Sequence, residues 1–82
     1  MMQVDLNDPN SVLWLQQALM RVLPGRVHLN PTGQYEVETR KMVRVYQQQN
    51  NLPQTGEPDA VTVQKIAQDL AQLDRSPFKK KQ

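Results

Sequence analysis

Thr32-Gly33-Gln34-Tyr35-Glu36-Val37-Glu38-Thr39 is echoed 23 residues later by Thr55-Gly56-Glu57-Pro58-Asp59-Ala60-Val61-Thr62. In each copy the glycine lies six residues before a second threonine, and an apolar pattern of helical period follows. A repeat of this kind reports one local solution used twice. Each copy therefore predicts a turn that opens a helix.

The helices can be read outward from those turns. Asp8-Pro9-Asn10-Ser11 has the chemistry of a helix start: a capping Asp or Ser, and a proline where the first turn tolerates one. Val12, Leu15, Gln16, Leu19, Val22 and Leu23 then mark one face of a first helix, which Pro24-Gly25 ends. Residues 26–35 form a connector in which Val27 and Leu29 are candidate inward anchors, with a short extended piece allowed at 27–29. The second helix is expected from near Glu36 to about Gln49, with Thr39, Val43, Tyr46 and Gln47 or Asn50 facing inward. Asn50-Asn51 ends it and Leu52 plugs the core. Asp59 is the expected cap of a third helix whose face is Val63, Ile66, Ala67, Leu70 and Leu73, the most regular apolar spacing in the chain. The pattern predicts an all-α, compact three-helix domain with two equivalent turn-to-helix repeats over residues 1–73. A flexible basic tail is expected over 74–82.

Composition narrows the function classes. With 82 residues the chain makes one small domain. It has no cysteine, so neither disulfides nor thiolate metal sites are available. No apolar run reaches the length of a membrane span, and Met1–Asp5 lacks the basic stretch and apolar core of a secretory signal. The formal net charge is +2, but residues 1–73 hold six Lys/Arg against seven Asp/Glu, a net of −1. The basicity belongs to Arg75 and Lys79–Lys81, which argues against a domain built to hold polyanions. The outer face of helix two, with Arg40, Lys41 and Arg44, keeps nucleic-acid binding as a third reading. Glu36, four residues before Arg40, is placed to pair with it and weaken that reading.

The ordered residues resemble the small three-helix peptidoglycan-binding domain found beside catalytic domains in bacterial and phage wall hydrolases. That family opens with Val-x-x-Leu-Gln-x-x-Leu, matched by Val12, Leu15, Gln16 and Leu19. Its Asp-Gly-x-Phe-Gly-x-x-Thr corresponds to the stretch from Thr32 to Thr39. Val-x-x-Phe-Gln is matched by Val43, Tyr46 and Gln47, and Gly-Leu by Asn51-Leu52. The second Asp-Gly-x-Val-Gly-x-x-Thr-x-x-x-Leu becomes Thr55-Gly56, Pro58, Asp59, Thr62 and Ile66. The resemblance covers roughly residues 11–73. Both Asp-Gly pairs are Thr-Gly here, and the following glycines are Glu36 and Asp59. A threonine hydroxyl accepts backbone N–H bonds more weakly than a carboxylate, so each turn is expected to persist with an altered surface.

Catalytic readings find little support in these residues. Glycoside hydrolysis needs two carboxylates about 5–10 Å apart across a cleft, whereas Glu36 and Glu38 stand two apart at a helix start and point different ways. There they suit the positive helix end. His28 is the only histidine, too few for a zinc site. The missing cysteine also removes the inhibitory-propeptide use of this fold, which latches through a thiolate on zinc. No enzyme activity, metal or cofactor is expected.

The resemblance implies non-catalytic binding of peptidoglycan, stem peptide or glycan, which anchors a wall hydrolase or structural partner. A monomer acting at the bacterial wall is expected, with an endolysin-like, phage-encoded context compatible with the missing signal. A protein–protein adaptor of the same fold that has lost wall binding is the alternative. By the family's layout Gln34, Tyr35, Thr39, Tyr46, Gln47 and Thr62 are candidate ligand-binding residues, near turns whose helix N-termini suit an anionic carboxylate. Each has a structural counterpart reading: core packing for Tyr46 and Tyr35, and a capping hydroxyl for Thr39 and Thr62. Trp14 lies off the helix-one stripe and is a candidate partner contact, or a lid over the core edge.

Overall fold

The computed structural model describes residues 3–23 and 30–74. They form three helices: α1 over Pro9–Val22, α2 over Val37–Gln49 and α3 over Ala60–Asp74. Asp74, expected to open the tail, is the last residue of α3; the rest of the expected tail, the anchors Val27 and Leu29, the Pro24-Gly25 stop and His28 lie outside the described residues.

Two of the three helices begin where a side chain supplies a cap. Asp8 accepts the Asn10 N–H at 3.0 Å with Pro9 as the first helical residue, satisfying a donor the helix cannot. Asp59 accepts the Thr62 N–H at 3.2 Å and so caps α3 as expected. At α2 the capping position is Glu36, whose side chain makes no cap bond. The exits also differ. The N–H of Leu23 closes α1 onto Leu19 O at 3.0 Å, and the chain leaves extended. At α2 the Leu52 N–H reaches Gln47 O at 2.8 Å and the Asn51 N–H reaches Gln48 O at 3.3 Å, with Asn51 at φ 58. That is a Schellman reversal with asparagine in the left-handed position, and Leu52 folds back onto the core.

The apolar stripes meet in one core: Leu15, Ala18, Leu19 and Leu23 from α1, Val43 and Tyr46 from α2, and Ile66 from α3. Val12 and Val63 are buried beside it. α1 packs against both other helices. Ala18 completes the α1 face in addition to the residues its spacing predicts. The α3 stripe fades instead: Ala67 and Leu70 are half-buried, and Leu73 is 44% exposed. Regular spacing places Leu73 on the inward face, but the last turn of α3 runs beyond the cluster that this face serves. No described helix is long and apolar enough to cross a membrane.

Candidate functional site

Two buried glutamines build the site from beneath. Gln16 on α1 accepts the Gly33 N–H at 2.9 Å through Oε1. Its Nε2 donates to Thr39 Oγ1 at 2.9 Å and Gln34 O at 3.1 Å, with Thr32 Oγ1 at 3.4 Å. Gln47 on α2 repeats the pattern at the other turn. It accepts the Gly56 N–H at 2.9 Å and donates to Thr62 Oγ1 at 2.9 Å, Glu57 O at 3.0 Å and Thr55 Oγ1 at 3.1 Å. Both glutamines and both second threonines are at most 1% exposed. One amide thus satisfies a glycine N–H, a turn carbonyl and a helix threonine at once. No fully buried side-chain nitrogen or oxygen among the described residues lacks a partner, as a buried polar network requires.

The threonines that replace aspartate carry the turns. Thr32 Oγ1 accepts the Gln34 N–H and Thr55 Oγ1 accepts the Glu57 N–H, each at 3.1 Å. The glycines sit at φ 84 and 73, a left-handed region that L side chains resist. Space adds a second reason. A Cβ on Gly33 would meet Pro9 Cβ and O at 3.3 Å, and one on Gly56 would meet Arg40 Cγ at 3.0 Å.

A single side chain joins the turns. Tyr35, half-buried, donates its phenolic O–H to Gly56 O. Arg40, reaching out from α2, lies with its guanidinium carbon 5.4 Å from the Tyr35 ring centroid. Its Nη1 meets Glu57 Oε2 at 2.7 Å. Burial first, then the nearby Glu57 carboxylate, raises the Tyr35 pKa well above the phenol range, so this donor stays protonated. The Arg40 pKa also rises, chiefly through its hydrogen bond to Glu57. The sequence pairs Arg40 with Glu36, and the structure corrects this. The Arg40 backbone N–H bonds Glu36 O at 2.9 Å, while its guanidinium crosses to Glu57 in the second turn.

The candidate residues therefore divide by depth. Gln34 is exposed and Tyr35 half-exposed, side by side at the first turn. Thr39, Gln47 and Thr62 lie in the interior, where they hold the turns. The threonine hydroxyls accept from the glutamine amides, a role different from the backbone cap expected of them. Tyr46 is 1% exposed and its O–H donates to Asp69 on α3, which Lys65 also meets at 3.3 Å. Burial, with the Asp69 bond adding to it, raises the Tyr46 pKa. At the α3 N-terminus Asp59 takes the Thr62 N–H, so that donor is engaged within the protein, whereas at α2 the Glu36 side chain makes no cap bond. Trp14 is half-buried and packs on the core edge. It stands between two hollows, one with Gln3, Val4, Asn10 and Ser11, the other with Gln17, Ala18, Arg21 and Leu70.

Arg40 and Arg44, which the sequence offers only as part of a nucleic-acid face, and Glu57, which it does not single out, join the surface. Gln16 is part of the family resemblance, yet its role was also hidden. One signal was present: Gln16 and Gln47 each follow the bulky residue of a matching stripe, Leu15 and Tyr46. Among the described residues no three His, Asp or Glu side chains converge to hold a metal ion.

A small helical domain whose two polar-framed turns are tied into one face is a binding module in form. The chain matches the family model described as "Putative peptidoglycan binding domain" over residues 8–66, and it belongs to that family. No curated protein and no solved structure matches it.

Proposed function

We propose that this protein binds peptidoglycan without catalysis, through the face where its two turns meet. The observation that carries the reading is the Tyr35 hydroxyl on Gly56 O with Arg40 laid over the same ring and bonded to Glu57. An aromatic platform, an exposed amide at Gln34 and a guanidinium suit N-acetylated sugars and amide-rich stem peptides. Thr39, Gln47 and Thr62 act through the turns they position, and Tyr46 through the α2–α3 tie. In this reading the module works as a monomer at the bacterial wall and holds a hydrolase or structural partner there. Trp14, whose hollows share no residue with the wall face, is the contact for that partner. An endolysin-like, phage-encoded source is one setting for such a module.

The same Trp14 ridge favours the second reading, a protein–protein adaptor that keeps the fold and has lost the wall. Sedimentation with purified insoluble peptidoglycan separates the two. The wall reading expects the protein in the pellet at low and moderate salt, with Gln34→Ala and Tyr35→Ala weakening it more than Lys79→Ala. Protein that stays in the supernatant throughout sinks it in favour of the adaptor. A pellet that neither turn substitution reduces places the face elsewhere.

A further inference from the structure

The cation next to Arg40 has no hydrogen-bond or ion-pair partner among the described residues. Arg40 and Arg44 lie one turn apart on the exposed side of α2, a spacing at which like charges repel. Both flank the second turn: a Cβ on Gly56 would lie 3.0 Å from Arg40 Cγ and 3.4 Å from Arg44 Nη2. Arg40 is committed to Glu57 and to the Tyr35 ring. Arg44 makes no hydrogen bond or ion pair with any described residue. Two guanidinium groups therefore stand at the second turn, and Glu57 pairs with only one of them. The first turn contributes an exposed amide at Gln34 next to the ring. A planar anion of carboxylate shape meets the guanidinium fork with two parallel hydrogen bonds.

We propose that Arg44 receives a free carboxylate of the peptidoglycan stem peptide, so that the module prefers walls whose stem carboxylates are free over walls in which they are amidated. This rests on the wall-binding reading and names the chemical group that it recognises. Glu57 has an opposing role: its carboxylate occupies Arg40 and, together with Asp59, offsets the positive charge of the two guanidinium groups around Tyr35.

Titration of the full chain with two synthetic stem peptides, one with free carboxylates and one fully amidated, tests the assignment by NMR. Wild type is expected to bind the free peptide about fivefold or more tighter, the range of one partly exposed charge-assisted contact. Arg44→Gln should abolish that preference while leaving the thermal melt unchanged, because the side chain is exposed and has no hydrogen-bond or ion-pair partner among the described residues. Glu57→Gln should tighten the free peptide by releasing Arg40. Equal affinity for the two peptides, binding of neither, or a preference that survives Arg44→Gln overturns the assignment. If the protein still pellets with peptidoglycan in those cases, wall binding stands and only the carboxylate receptor falls. If wild type does not pellet, both fall.

Discussion

The two turns share a frame and differ in nearly everything attached to it. In each, a buried glutamine clamps a left-handed glycine and a helix threonine with matching distances. Yet Gln16 reaches its turn across 16 residues and Gln47 across eight, because α1 leaves extended while α2 reverses at once through Asn51. The first turn rests on Pro9 and Leu13 of α1, and the second on Arg40 and Arg44 of α2. Where the first carries Tyr35 and an uncapping Glu36, the second carries Pro58 and Asp59, which caps α3 and accepts the Thr55 hydroxyl at 3.2 Å. The frame is what the fold needs twice. The asymmetry lets one turn reach across and the other receive it.

The strongest way to break the comparison is to remove each clamp. Gln16→Leu and Gln47→Leu each strand a buried glycine N–H and a buried hydroxyl, costing about 3 kcal/mol or more. In a domain of this size that approaches the whole stability. Urea melts should show similar losses for both, and one harmless substitution would end the equivalence of the frames.

Tyr35→Phe cuts the link between turns and removes one hydrogen bond, an expected loss of about 1 kcal/mol at neutral pH. The pH dependence sharpens this. The folded phenol ionises later than the unfolded one, so the folded state holds the extra proton above about pH 10. Its stabilising contribution is complete below that value and declines as pH rises past it. The difference between wild type and Tyr35→Phe should therefore shrink in alkaline melts. A gap that stays constant to high pH would contradict the buried-donor role of Tyr35.

How far the sequence foretold all this depends on distance along the chain. Helix starts at Asp8-Pro9 and Asp59 and the Asn50-Asn51 stop were legible, because caps and reversals are made by residues within a few positions of each other. The clamps were not. Only the matching place of Gln16 and Gln47, after Leu15 and Tyr46, hints at them, and the partners of Gln16 lie 16 to 23 residues away. Arg40 shows the same failure in reverse, since its near neighbour Glu36 was the obvious partner and Glu57, 17 residues on, is the actual one. The fading of α3 at Leu73 escaped because periodicity reports direction and not how far a core extends. The six candidate ligand residues all lie on the turns or on the helices that follow them, and depth was the missing coordinate.

A gentler test concerns the threonines that stand where the family carries aspartate. Thr55→Asp would bring a carboxylate against Asp59, whereas Thr32→Asp meets no such neighbour among the side-chain contacts of the first turn. At pH 7 the Thr55→Asp variant should be less stable than the Thr32→Asp variant by about 1 kcal/mol. The crowded pair would hold a proton more tightly when folded, so its cost exists above the carboxylate range and fades below about pH 4. Equal stability at neutral pH would mean the two turns tolerate charge alike. The smallest effect is expected at the exit of α2. Asn51→Gly relieves the side chain of its left-handed backbone and should gain a few tenths of a kcal/mol, partly offset by the freer unfolded chain.

The central claim is that the joined turns form the face that meets the wall. Amide chemical shifts of the labelled protein, followed as soluble peptidoglycan fragments are added, test it most directly. The account predicts that the largest changes gather at Gln34, Tyr35, Gly56 and Glu57, with Arg40 and Arg44 beside them. Changes centred instead on Val4, Trp14, Ala18 and Leu70 would contradict it.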